Sequence, residues 1–189
     1  MQSSPLVPTP DFTPERAARF DELQRQLVPL WRLIGRTDPG GEVQDSNTLI
    51  VLPSLTAEIG VPGALHQIYE ERFLFMTFLL RQPNLHLIYI TSGTIDPLVI
   101  DYYLHQLPDV TISNARKRLR LVAPQDGSDR ALVHKVLERP WFVRHLRALI
   151  PDPERAHLVP FLTTDAEREL ALQLDIPMYA ADPRYFALG

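Results

Sequence analysis

Apolar residues recur along the chain in two rhythms. Phe20, Leu23, Leu27, Leu30, Trp31 and Ile34 follow Thr13-Pro14 at the three- and four-residue spacing of one helix face. Thr13 suits an N-cap, Pro14 a first helical position and Gly35 a stop, so the pattern predicts an amphipathic helix over residues 14–34. Residues 1–12 carry Pro5, Pro8 and Pro10 without any period and read as a loose arm. Residues 36–47 read as a loop.

Beyond that loop, short apolar runs alternate with helical stretches. Residues 48–52, 86–90, 119–123 and 157–161 read as strands, and Met178-Tyr-Ala180 as a short fifth. Between them the spacing predicts a helix from Pro62 to Arg81, apolar nearly all round in its second half. Further helices are expected from Thr94 or Asp96 to Leu107, from Ser128 or Asp129 to Glu138, and from Pro140 to Ile150. Asn114 to Arg118 reads as a helical turn. Thr164-x-x-Glu167 has capping-box spacing and opens a helix over 165–174. Strands alternating with helices imply crossover units and a mostly parallel sheet. The expected fold is α/β, a Rossmann-like three-layer sandwich of about five strands over residues 48–189, preceded by an arm and helix over 1–47.

Composition narrows the function. Net charge is −4, so a nucleic-acid partner is not expected. No apolar run is long enough to span a bilayer, and no signal peptide is read at the N-terminus, which points to a cytoplasmic chain with no membrane partner. Without cysteine, disulfides, thiolate catalysis and thiolate-bound zinc are excluded. No histidine pair has helical metal-ligand spacing, so no metal site is expected. No glycine fingerprint, P-loop or nucleophile elbow is present.

Ligands of open parallel sheets bind outside the carboxyl ends of the strands. That rule nominates Pro53-Ser54-Leu55, Thr91-Ser92-Gly93-Thr94, Pro124 to Gly127, Leu162-Thr163-Thr164 and Ala181-Asp182-Pro183. All are small and polar, and all also suit turns and caps. The Thr91–Thr94 run is the best ligand candidate, because hydroxyls and free amides ahead of a helix suit a carboxylate or phosphate. Tyr69-Glu70-Glu71-Arg72 reads either as a solvated helix end or as a site. Its adjacent carboxylates diverge by about 100° and form no dyad by themselves. Tyr102 and Tyr103 read as core packing with a hydroxyl reaching a partner. Arg116, Lys117, Arg118 and Arg120 form the one basic cluster, read as a turn or a phosphate receptor.

Several phrases combine in order: Val51-Leu-Pro-Ser54, Tyr69-Glu-Glu-Arg72, Tyr89-Ile-Thr-Ser92, Val99 to Leu104, His157 to Phe161, Ile176 to Tyr179, and the closing Asp182-Pro183…Leu188-Gly189. As a set they resemble the N-terminal region of bacterial ATP-grasp carboxylate–amine ligases, in particular those of the pheganomycin peptide-ligase type. The resemblance covers residues 48–189. It implies a pre-ATP-grasp domain that helps bind small carboxylate and amine substrates and packs on a C-terminal ATP-grasp domain of the same polypeptide. That domain would hold ATP and magnesium, so this chain would carry no cofactor and no catalytic residue. The resemblance makes Tyr69, Glu70, Glu71, Arg72, Thr91 and Ser92 plausible substrate or interdomain residues, alongside Ser54, Gly93, Thr94, Tyr102, Thr163 and Asp182 from the strand ends and helices. An unfinished apolar surface is expected where the next domain docks, formed by Phe20, Leu27 and Trp31 or by Tyr185 and Phe186, and a homodimer could form through it. The alternatives are a free-standing Rossmann-like module for a nucleotide or small acid, and an assembly domain without a ligand.

Overall fold

The computed structural model describes residues 12–34, 46–55 and 63–184. The expected stop at Gly35, the helix start at Pro62 and the Tyr185-Phe186 surface lie outside the described residues. Four parallel strands form one sheet: β1 (Asn47–Leu52), β2 (Leu85–Ile90), β3 (Leu119–Val122) and β4 (Ala156–Pro160), in the order β3-β2-β1-β4. The chain steps from β1 through β2 to β3 on one side, then returns to set β4 against the other side of β1.

Period-two alternation divides the core. Ile50, Leu52, Ile88, Ile90 and Leu158 face one layer, where they pack with α1 (Pro14–Ile34), α5 (Leu132–Leu137), α6 (Pro140–Leu149) and α7 (Asp165–Leu174). Leu49, Val51, Leu87 and Tyr89 face the other. That layer is built from α2 (Gly63–Arg72), a 3-10 segment (Phe73–Arg81), α3 (Pro97–His105) and α4 (Ile112–Arg118). A Rossmann-like three-layer sandwich is therefore the fold. Among the described residues no helix is long and apolar enough to cross a membrane.

Three details depart from the sequence expectation. The sheet has four strands, because Met178 makes only an isolated bridge to Leu158. Leu158 N–H donates to Pro177 O at 2.9 Å, and Tyr179 N–H donates to Leu158 O at 2.7 Å. The next donors on either side would be Pro160 and Pro177, and proline has no N–H, so the ladder stops after one rung.

The second departure is the long apolar helix, which changes type at Phe73. Three residues per turn sort the 3-10 segment into three rows. Leu74, Thr77 and Leu80 are buried, Phe73, Met76 and Leu79 half-buried, and Phe75, Phe78 and Arg81 exposed. Its carbonyl end is held by the buried Arg118, which donates to Leu80 O (2.6 Å), Gln82 O (2.6 Å) and Leu85 O (3.1 Å). Arg116 meanwhile pairs with Asp101. Arg116 and Arg118 of the basic cluster thus serve internal partners.

The third departure concerns α1, whose apolar stripe is not an open surface. Phe20 is fully buried in the core beside α7, and Leu27 is half-buried. Trp31's side chain lies outside the described residues. Gln24 fixes the docking at both ends of its amide, donating to Met178 O (2.9 Å) and accepting from Met178 N–H (2.8 Å).

Candidate functional site at the carboxyl edge of the sheet

Parallel strands deliver their carboxyl ends, and the loops after them, to one edge. The loop after β2 is fixed from beneath. Glu70, in the last turn of α2, reaches across to Ser92, where Oε2 accepts the backbone N–H and Oε1 accepts the hydroxyl, both at 2.6 Å. Lys135 on α5 approaches from the other layer and donates Nζ to Ser92 Oγ at 2.9 Å. Glu70, Ser92 and Lys135 are all buried. Ser92 therefore bridges an acid and a base that come from opposite faces of the sheet.

The electrostatics follow from burial. Desolvation raises the Glu70 pKa, opposed by the two Ser92 hydrogen bonds and by Lys135. Desolvation lowers that of Lys135, opposed by Glu70, Asp126 and Asp129. Tyr89 donates its hydroxyl to Glu70 O at 2.6 Å, and burial together with the nearby carboxylate pushes its pKa far up. Such a cluster is buried and fully hydrogen-bonded. It holds the loop, and its serine hydroxyl is too buried to meet a substrate.

The neighbouring loops are tied to the same point. Thr91 Oγ1 donates to Gly93 O (2.8 Å), Asp126 N–H to Ser92 O (2.9 Å), and Gln125 Nε2 to Thr94 Oγ1 (3.1 Å). Asp126 also accepts from Ser128 N–H (2.9 Å) and Arg139 (2.8 Å); these contacts outweigh its desolvation and hold its pKa at about 2. After β1, the buried Ser54 accepts the backbone N–H of Val133 at 3.1 Å, capping α5 from a distant strand. At the rim, Gly93 is half-buried and Thr94 exposed.

Other sequence-nominated residues fall elsewhere or play local parts. Glu71 is half-buried and accepts from Gln67 at 3.2 Å. Tyr102, read as core packing, is 63% exposed on α3, with its ring edge-on to Tyr103 at 5.5 Å. A surface position costs a tyrosine nothing in hydrogen bonding, since water serves its hydroxyl. Thr163 is half-buried in the loop before α7. Asp182 pairs with Arg184 (2.5 Å) and Arg168 (3.7 Å), tying the C-terminal segment to α7. Lys135 was not among the nominated residues. The one signal for it is rarity: it is one of two lysines in an arginine-rich chain, set among Leu132, Val133, Val136 and Leu137.

The strand order reverses between β1 and β4, and this is where open α/β sheets leave a crevice. Phe161 N–H donates to Leu52 O at 3.0 Å, just past the end of β4. The Phe161 ring packs on Phe73 with centroids 4.3 Å apart, and Phe73 packs on Phe75 at 5.4 Å. Tyr69, Arg72, Phe73, Phe75 and Phe161 line a groove of about 400 Å³ here. Tyr69 and Arg72 thus sit on the groove while Glu70, between them, faces inward. Among the described residues no group of three or more His, Asp or Glu side chains gathers as a metal-ligand set.

No protein-family model and no solved structure matches the chain. Over 103 residues it is 32% identical to the L-propargylglycine–L-glutamate ligase of Streptantibioticus cattleyicolor, a stretch that takes in 53% of this chain and 21% of that ligase. The chain therefore spans about a fifth of the relative's length. This partial match supports the ligase link carried by the sequence resemblance: the chain is similar to one portion of a ligase.

Proposed function

We propose that the chain is the front domain of an ATP-dependent carboxylate–amine ligase. The observation that carries this reading is the 32% identity, over 103 residues, to a ligase named for joining two amino acids. A hydrogen-bonded set of loops at the carboxyl edge of the sheet agrees with a domain that presents part of a substrate surface. In this reading an ATP-grasp domain of the same polypeptide holds ATP and magnesium. The acid substrate takes the terminal phosphoryl group, giving an acyl phosphate and ADP. The amine then attacks the acyl carbon and phosphate leaves. This chain contributes substrate contacts and a packing surface, and alone performs no ligation. By analogy with the relative's name, the substrates are amino acids or close kin.

The test uses the complete reading frame that contains this chain. Incubated with ATP, magnesium, hydroxylamine and a panel of amino acids, the whole polypeptide should form a hydroxamate and release ADP in equal amounts. Residues 1–189 alone should form neither. A reading frame that closes at Gly189, or a complete polypeptide that never releases ADP with any acid, would overturn the proposal.

A further inference from the structure

The groove at the β1–β4 reversal has features that the ligase reading does not assign. Its walls are the rings of Tyr69, Phe73, Phe75 and Phe161, and its one charged lining residue is Arg72. Phe161 and Phe75 are both more than two-fifths exposed, so the aromatic surface is open to solvent. Among the described residues the Arg72 guanidinium makes no hydrogen bond or ion pair. Elsewhere Arg19, Arg116, Arg139 and Arg184 are held by carboxylates. Arg72 thus offers an unengaged planar fork beside an apolar wall, at the place where a doubly wound sheet leaves room for a ligand.

We propose that this groove binds a small monocarboxylate bearing an aryl or branched alkyl group. The carboxylate is taken by Arg72, whose fork matches two oxygens, and the apolar group lies against Phe161 and Phe75. Among the described residues no Asp or Glu lines the groove, so an ammonium group finds no carboxylate there and is repelled by Arg72, which offsets its attraction to the ring faces. A des-amino acid should therefore bind better than the corresponding free amino acid. The groove's volume of about 400 Å³ suits one such molecule and is too small for a nucleotide together with its metal ion. This inference deepens the ligase reading by naming one substrate class. It rests on that reading only for what becomes of the ligand, because binding is read without ATP.

The experiment titrates the chain with 3-phenylpropionate and follows backbone amide and arginine side-chain NMR shifts, with 3-phenylpropanamide, phenethylamine and phenylalanine in parallel. Saturable shifts centred on Arg72, Phe75 and Phe161 are expected with the carboxylate. Affinity should fall about tenfold or more for the amide and in Arg72→Gln, the loss of one charge-assisted pair. Phenethylamine should not bind, and phenylalanine should bind more weakly than 3-phenylpropionate. Arg72 is exposed, so Arg72→Gln should fold, and an unchanged melting temperature confirms it. Phe161→Ala should weaken binding with the charge intact. No saturable shift, shifts elsewhere, or equal binding by Arg72→Gln overturns the assignment. So does a concentration-dependent dimer that buries Phe75 and Phe161, for then the groove belongs to a second copy. None of these outcomes touches ATP turnover, so failure here is distinct from failure of the ligase reading.

Discussion

Glu70 shows how a surface-looking motif conceals a core residue. In Tyr69-Glu70-Glu71-Arg72 the two acids look alike, yet only Glu70 turns inward to meet Ser92, 22 positions away, with Lys135 behind it. Removing one charge from a buried pair strands the other. Glu70→Gln should therefore cost about 3 kcal/mol in urea unfolding, and Glu70→Gln combined with Lys135→Met should cost clearly less than the sum of the single changes. Additive costs would mean the two charges do not sense each other.

His157 allows a second prediction at the residue scale. It lies on β4 with both ring nitrogens buried and unpartnered among the described residues, and desolvation lowers its pKa to about 4. The unfolded value is near 6.5. Its contribution is present above pH 6.5 and is lost as pH falls through 6.5 toward 4, to a total of about 3 kcal/mol. Glu70, whose folded pKa is raised, works in the opposite direction. The comparison must therefore be made against His157→Leu, whose stability relative to the native chain should rise steadily from pH 7 to pH 4. A constant gap would show that folding does not lower the His157 pKa.

At the scale of elements, what was legible depended on range. The helix over 165–174 was readable to the residue because its start is a local device. Thr164 Oγ1 accepts Ala166 N–H at 3.2 Å, and the Glu167 carboxylate accepts Thr164 N–H at 2.9 Å. Thr164→Ala should lower stability by about 1 kcal/mol, read as a shift in urea midpoint. The strands were readable because each is a compact apolar run. The change from α to 3-10 geometry at Phe73 was not, because a segment apolar on every side hides whether its period is 3.0 or 3.6. The lost fifth strand turned on where two prolines fall relative to the bridge, which only a register reveals. The three rows can be checked directly. Leu74→Ala and Leu80→Ala should each cost about 2–5 kcal/mol, and Phe75→Ser and Phe78→Ser less than about 1 kcal/mol, by the same unfolding measurement. Similar costs in the buried and the exposed row would argue for a different helical pitch in solution.

For the molecule as a whole, the sheet's order and its two helical layers bring distant residues to one edge. That is why the site was only partly legible. The loops could be nominated from a rule about strand ends, but Lys135, Phe73 and Phe161 reach them only through the fold. The layer containing α1 belongs to the core, so a chain beginning at Asn47 should lose the cover of Phe20 and Leu23, bind a hydrophobic dye and unfold at lower urea. Dye binding and stability equal to the longer chain's would show α1 to be dispensable. The 3-10 segment carries a last consequence, for changes in chain length. With three residues to a turn, deleting or inserting one residue between Phe73 and Arg81 advances everything after it by a third of a rotation, like a gear slipping one tooth. A phenylalanine would turn inward where a leucine belonged, and Arg81 or Gln82 would be carried toward the core. Relatives of this chain should therefore vary freely at the outer-row positions Phe78 and Arg81, which lie off the groove, while keeping the number of residues between Arg72 and β2 fixed.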